Sequence, residues 1–310
     1  MPGGISEVTA GVANYLYAAC SVYYIKTPLK FMGKQDLKTN GYFIRSYRAA
    51  RLAIHVLYAM AMAGLIFPWV AENVRLRLER RWSAGMMRIL NIRVRVQGMP
   101  PDLNARNTML IANHISWLDI YLLCSVRPAR FVSKAEVRSW PLVGWLAYKV
   151  GTFFIDRTRR HDTARVNHEM SAALSSGGCV AVFPEGTTSH GDTLLPFHAS
   201  LLQPAVHSES KIWPTAIRYT RADGSLNLAA TYVGEVSFGE SLEQILSQPE
   251  MYAEMIFLAP ISAHGKTRRE LARLSELAIA AALNLTLPAR EAEEPAESRP
   301  AVASAELAPV

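Results

Sequence analysis

Met109-Leu110-Ile111-Ala112-Asn113-His114-Ile115-Ser116-Trp117-Leu118-Asp119 is the stretch on which the reading of this chain turns. Its first four residues are an apolar run with the texture of a buried strand that ends at Asn113. The apolar spacing after Trp117 is helical. His114 therefore stands at a strand-to-helix turn, and Asp119 falls in the first helical turns, five residues on. A carboxylate at that spacing can fold back onto the imidazole and accept a hydrogen bond from Nδ1–H. Nε2 is then left free to act as a base. On its own this pairing is a weak signal, and its weight comes from the rest of the chain.

Downstream, strand-like apolar runs recur at 108–112, 130–133, 152–155, 178–183, 212–218, 228–233 and 254–259, after an alternating Ile92–Val96 that suits an edge strand. Helical patterns lie between them, for example at 117–126, 138–149, 160–175 and 266–284. Continuous apolar strands alternating with helices predict an α/β domain over 91–285, built on a single mostly covered sheet with flanking helices. No internal repeat is present. Residues 286–310, rich in Pro, Ala and Glu, read as a disordered acidic tail.

Upstream the texture is that of a membrane-associated segment. Leu52 to Val70 is a run of nineteen residues with no formal charge and His55 as its one strongly polar member, just long enough to cross a hydrocarbon core. Arginines precede it (Arg45, Arg48, Arg51) and follow it (Arg75, Arg77, Arg80, Arg81). The positive-inside rule therefore gives no direction. Symmetric basic flanks suit a segment that dips into one leaflet and returns, and 49–90 is read as such a membrane-embedded helical segment. A buried core helix is the alternative. Residues 1–48 read as an N-terminal extension, with a tyrosine-rich apolar stretch at 10–25 and then a basic linker. The residues before that stretch carry no positive charge and include Glu7, which makes a poor secretory signal.

Half of the 310 residues are apolar and the formal net charge is +7. The last twenty residues hold five Glu against Arg299, so the other 290 carry +11. Such a body is drawn to an anionic surface. No nucleic-acid motif accompanies the charge, and the apolar content points to a membrane. The three cysteines (Cys20, Cys124, Cys179) have neither disulfide nor metal spacing, which points to a reducing compartment.

Three further blocks carry chemistry. In Gly151-Thr152-Phe153-Phe154-Ile155-Asp156-Arg157 an arginine stands where a strand ends, the edge at which ligands collect in α/β sheets. A guanidinium there suits a phosphate; with Arg159 and Arg160 it equally fits a solvated charge run. In Phe183-Pro184-Glu185-Gly186-Thr187-Thr188-Ser189 a carboxylate, a glycine and three hydroxyls follow a strand. Gly186 allows a tight turn, Glu185 can hold substrate hydroxyls, and Thr187 with backbone N–H groups can meet phosphate or an oxyanion. A polar turn is the plainer reading. Pro214, in Ile212–Ala216, is expected to interrupt a strand and shape a site wall.

Asn-His-x-Ser-x-x-Asp, then Gly-x-x-Phe-Ile-Asp-Arg, then Phe-Pro-Glu-Gly-Thr-Thr-Ser, in this order, resembles the glycerolipid acyltransferase family that includes the 1-acylglycerol-3-phosphate acyltransferases. The resemblance spans about residues 90–235. It implies an α/β domain on a membrane-embedded helical segment, with His114 and Asp119 catalytic. It also implies Arg157, Glu185 and Gly186 as acceptor-binding residues, and Lys134 near the acceptor phosphate. The first fifty residues look like an extension beyond the family's usual start.

The expected reaction is acyl transfer from a thioester, either acyl-CoA or acyl carrier protein, to the free hydroxyl of a lysolipid. His114 acts as base and Asp119 fixes its tautomer. A thioester is already activated, so neither metal nor other cofactor is required, and direct transfer is preferred over a covalent intermediate on Ser116 or Cys124. The first acceptor is 1-acyl-sn-glycerol-3-phosphate. The stretch Thr187–Asp192 is also similar to enzymes that acylate lyso-ornithine lipid, which makes that the alternative. A lipid hydrolase using His114 lacks the Gly-x-Ser-x-Gly elbow, and a silent membrane scaffold has no need of an intact His114 and Asp119. The expected location is the inner membrane, with the site facing the cytoplasm.

Overall fold

Every residue of Thr108–Ala112 is buried, and the sheet is built outward from this strand. The structure is a computed structural model that describes residues 39–156 and 159–287. The tyrosine-rich stretch at 10–25, the lysines of the basic linker, Arg157 and tail residues 288–310 lie outside the described residues. The strands are β1 (Ile92–Gly98), β2 (Thr108–Ala112), β3 (Arg130–Lys134), β4 (Phe153–Ile155), β5 (Cys179–Val182), β6 (Lys211–Thr220), β7 (Met251–Phe257) and β8 (Ile261–Ser262). The helices are α1 (Tyr42–Ala61), α2 (Glu72–Ile89), α3 (Leu118–Cys124), α4 (Val143–Lys149), α5 (Arg160–Ser175), α6 (Gln203–His207), α7 (Phe238–Ser247) and α8 (Arg268–Leu283).

One sheet runs β1–β7–β6–β2–β5–β3–β4, with β8 beside β6. β6, β2, β5, β3 and β4 are mutually parallel, and β7 is antiparallel to β6. Leu110 and Ala112 pack into a core with α2, α3 and α7, while Met109 and Ile111 pack into a second core with α5 and α8. Apolar residues at consecutive positions are what a strand covered on both faces requires. The expected single α/β sheet with flanking helices is present, and it is mixed.

α1 and α2 form a hairpin joined by a π-turn (Met62–Ile66) and a 3₁₀ turn (Phe67–Trp69). His55, the one strongly polar residue of the apolar run, is matched to α2. Its Nε2 lies 2.8 Å from the Trp82 carbonyl, the Trp82 indole N–H donates to the His55 carbonyl at 2.9 Å, and the two rings stack at 5.0 Å. Among the described residues nothing packs against the opposite side of α1, where Phe43, Tyr47, Ile54 and Leu57 are exposed. The apolar helical stretch Tyr42–Trp69 is long and apolar enough to cross a membrane, and only 22% of its most apolar window is buried. That is low for a core helix.

Four local expectations are corrected. Helix α1 starts at Tyr42, so Arg45, Arg48 and Arg51 are helical, and the boundary set at 48/49 falls inside a helix. Asn40 and Arg48 there donate to the carbonyls of Leu246, Gln248 and Pro249, tying the hairpin's base to the end of α7. The 228–233 run is not a strand. Asn227 accepts from Ala229 N–H and starts a 3₁₀ turn, Tyr232 N–H donates to the Ile115 carbonyl, and the slot beside β6 belongs to β7. The 138–149 pattern is broken at Pro141, leaving a 3₁₀ turn (Ala135–Ser139) and the short α4. Pro214 does not interrupt β6. It sits where the antiparallel partner changes from β8 to β7, and its carbonyl still accepts from Leu258 N–H. A proline's missing donor is tolerated at such a junction.

Candidate active site

The five parallel strands end at one edge, and the loops that follow them converge there, as ligand-binding loops do in open α/β sheets. β2 ends where Asn113 replaces backbone pairing with side-chain pairing. Its Nδ2 donates to the Ile217 carbonyl at 3.0 Å and its Oδ1 accepts from Ile217 N–H at 2.7 Å. The next residue is thus released from the sheet at a fixed point.

His114 is held by its main chain and by its ring. Its N–H donates to Glu185 Oε1 at 2.7 Å, and its carbonyl accepts from Ser189 N–H at 2.8 Å, so the β2 and β5 loops are stitched together at this residue. The imidazole stacks on Phe183, with ring centroids 4.0 Å apart and 7° between planes. Nδ1 lies 2.8 Å from Asp119 Oδ2. A carboxylate at that distance places the imidazole proton on Nδ1 and leaves the lone pair on Nε2.

Asp119, in the first turn of α3, is fully buried and fully bonded. Its Oδ2 also accepts from Ile115 N–H at 2.7 Å and Ser116 N–H at 2.9 Å. Its Oδ1 accepts from the Tyr219 hydroxyl at 2.8 Å. Burial, and then the Asp119 charge, hold the Tyr219 hydroxyl well above the ordinary tyrosine range, so it stays a donor.

Glu185 is turned onto the main chain of two loops. It is 3% exposed; Oε1 is taken by His114 N–H and Oε2 by Leu195 N–H at 3.0 Å. Burial pushes its carboxyl up to about 7, against the lowering effect of those donors. Gly186 follows at φ +75°, a left-handed conformation that residues with a side chain adopt only with strain. Thr187 is exposed at the lip of the loop, while the Thr188 hydroxyl bonds the Tyr232 carbonyl. Lys134 closes β3 with its side chain in solvent. β5 separates β3 from β2, so Lys134 stands two strand spacings, about 10 Å, from the strand that carries His114. The structure therefore unites His114, Asp119 and Glu185, places Gly186 and Thr187 beside them, and sets Lys134 on the same edge.

Neither candidate nucleophile engages His114. Ser116 is buried and its hydroxyl has no hydrogen-bond partner, and burial raises the Cys124 thiol to about 12. Among the described residues no three His, Cys, Asp or Glu side chains gather as metal ligands. The sequence did not single out Tyr219 or assign a role to Phe183 and Asn113. A tyrosine inside a buried strand is itself a signal, because its hydroxyl needs a partner there.

A family model described as Acyltransferase matches residues 93–218. A lyso-ornithine lipid O-acyltransferase of Pseudomonas aeruginosa is 38% identical over 76% of this chain and 92% of its own length. A 1-acyl-sn-glycerol-3-phosphate acyltransferase of Neisseria meningitidis is 34% identical over 70% of this chain and 84% of its own. The crystal structure of the LPA acyltransferase PlsC from Thermotoga maritima shares the fold, with a TM-score of 0.60 at 21% identity, covering 78% of this chain and 94% of that one. The chain belongs to the acyltransferase family that holds the 1-acyl-sn-glycerol-3-phosphate and lyso-ornithine lipid acyltransferases.

Proposed function

We propose that this enzyme moves an acyl group directly from a thioester to the free hydroxyl of an anionic lysolipid, with His114 as general base. The observation that carries this is the imidazole locked between Asp119 and Phe183 with Nε2 unengaged by Asp119. Nε2 takes the hydroxyl proton as that oxygen attacks the thioester carbonyl. The tetrahedral adduct then expels the thiolate, which takes the proton back from the imidazolium. Asp119 stabilises the transient positive charge, and the step is worth roughly a hundred- to ten-thousand-fold. No metal or further cofactor takes part. Glu185 and Gly186 shape the loop that fixes His114. Thr187 and Lys134 bind the acceptor's anionic group, a role that the family resemblance also gives to Arg157, with acyl-CoA or acyl carrier protein as donor. The enzyme works at the cytoplasmic face of the inner membrane, held there by the α1–α2 hairpin.

Two acceptors compete. The length and identity of the match to the Pseudomonas protein favour lyso-ornithine lipid, whose carboxylate would take the place of a phosphate. The match to the Neisseria protein supports 1-acyl-sn-glycerol-3-phosphate, the acceptor that the sequence blocks suggested first. Acylation of the two acceptors by the solubilised protein, run in parallel with acyl-CoA and with acyl carrier protein, separates them. Product from lyso-ornithine lipid alone supports the first reading, and product from lysophosphatidate alone supports the second. Product from neither acceptor with either donor contradicts the proposal.

A further inference from the structure

The connection from β3 to β4 carries an apolar surface that neither core nor site accounts for. Trp140, Leu142 and Tyr148 are 42%, 51% and 58% exposed, and Val143 and Trp145 are exposed beside them. Residues 137–150 contain no acidic side chain, but include Arg138 and Lys149. The Arg138 guanidinium lies over the Tyr148 ring at 5.5 Å, and the Lys149 ammonium lies 5.5 Å from the Trp145 ring.

The backbone holds this display at a cost. Leu142 has φ 62° and ψ −53°, and Val143 N–H closes a γ-turn onto the Pro141 carbonyl at 2.6 Å. A bulky residue in that region is strained by about 1–3 kcal/mol, and Leu142 gains no burial to offset it. Gly144 then lets the chain pass so close to the preceding turn that a Cβ would sit 2.3 Å from the Arg138 carbonyl oxygen. The turn is thus built to hold Leu142 outward.

This surface is continuous with the exposed tip of the hairpin. The Trp145 ring packs on Gly64, where a Cβ would meet it at 3.5 Å, and the Arg75 guanidinium donates to the Lys149 carbonyl at 3.2 Å. Leu65, Ile66 and Trp69 are exposed alongside. Tryptophan and tyrosine beside cations, next to an apolar helical tip, is the chemistry of a bilayer's headgroup boundary. The same connection begins at Lys134, on the edge that carries the site.

We propose that Trp140–Lys149 is a second membrane-contacting element, seated in the headgroup layer of an anionic bilayer beside the hairpin. This rests on the reading of the enzyme as a lysolipid acyltransferase held at a membrane. The site then opens at the lipid surface, and a lysolipid reaches it without crossing water.

The test is flotation of the full chain with phosphatidylglycerol–phosphatidylethanolamine vesicles. Trp140→Ser combined with Leu142→Gly removes apolar contact; glycine suits the positive φ, so the thermal midpoint should hold or rise. Vesicle partitioning and turnover of vesicle-borne lysolipid should fall roughly tenfold, as expected when interfacial apolar area is lost, while turnover in detergent micelles stays within about twofold. Arg138→Gln with Lys149→Gln should weaken binding to these vesicles but not to neutral phosphatidylcholine vesicles. Trp140→Phe keeps the packing and should lose part of the fluorescence quenched by brominated lipid. Variants that float like the wild type overturn the second contact and leave the acyltransferase reading intact. A wild-type chain that does not float overturns the contact and the membrane reading together. Conversion of a dimer to a monomer with unaltered vesicle binding assigns the surface to a second copy and also overturns the proposal.

Discussion

The loop after β2 and the α1–α2 hairpin are opposite solutions to the problem of polar groups. Around His114 the buried carboxylates each accept from several donors: Asp119 from an imidazole, two amides and a phenol, and Glu185 from two amides in different loops. Along the apolar half of α1, Leu52–Ala61, the one strongly polar side chain, His55, is paired to α2, and among the described residues nothing covers the exposed Ile54, Leu57 and Tyr58. The first region is specified by hydrogen bonds and tolerates little change, because a buried donor left without an acceptor costs about 1–3 kcal/mol. The second, on the proposed membrane reading, is matched to lipid rather than to protein. Substitution should therefore break the first region by destabilising it, and the second only when lipid is present.

The largest expected effect is that of Asp119→Ala, which strips the acceptor from four donors at once. We expect a stability loss of about 3–5 kcal/mol, a thermal midpoint lower by roughly 10 °C, and background activity. A midpoint within about two degrees of the wild type would show that water replaces the carboxylate and that the loop is not specified as described.

Glu185→Gln comes next. The amide keeps one acceptor but turns an N–H₂ toward a backbone N–H, for an expected loss of about 1–3 kcal/mol. The effect depends on pH, and its sign follows from the raised carboxyl of the folded state, about 7 against 4.5 unfolded. The folded chain holds that proton longer, so this contribution to stability is complete below about pH 4.5 and is lost as pH rises through about 7. The midpoint gap between wild type and Glu185→Gln should thus be widest near pH 5 and narrowest near pH 8. A gap that widens with pH would mean that Glu185 is ionised throughout.

Tyr219→Phe is subtler, at about 1 kcal/mol. Losing this donor concentrates charge on Asp119 and stabilises the imidazolium, so the acid limb of the kcat profile should move to higher pH while KM holds. A fall in stability with an unmoved profile would confine Tyr219 to packing. Ile54→Asp, on the uncovered side of α1, should have the smallest effect on the protein alone. The midpoint in detergent stays within about 0.5 kcal/mol of wild type, while vesicle binding is lost. A large destabilisation in detergent would mean that α1 belongs to the core.

The same contrast explains what was legible in the sequence. β2 and β5 were readable because strands covered on both faces are apolar at consecutive positions, and the His114–Asp119 contact followed from a strand–turn–helix with a carboxylate five residues on. The main-chain partners of Glu185 were not legible, because a motif shows that a carboxylate is required but not which atoms it faces. Tyr219 lies 100 residues from Asp119, a contact made only by sheet order. The 228–233 run has strand composition, yet pairing with β6 was already taken by β7, a tertiary fact that propensity does not carry. Helix α7 did leave a local trace, the Ser237–Glu240 capping box, which the apolar pattern obscured.

The most direct test of the account is thiol release from an acyl thioester by the solubilised protein, with and without acceptor, in wild type and His114→Ala. Direct transfer with His114 as base predicts that release requires the acceptor. It also predicts a drop of roughly a hundred- to ten-thousand-fold in the variant, with a thermal midpoint lowered much less than that of Asp119→Ala. A stoichiometric burst without acceptor, or release that survives the loss of His114, would contradict it.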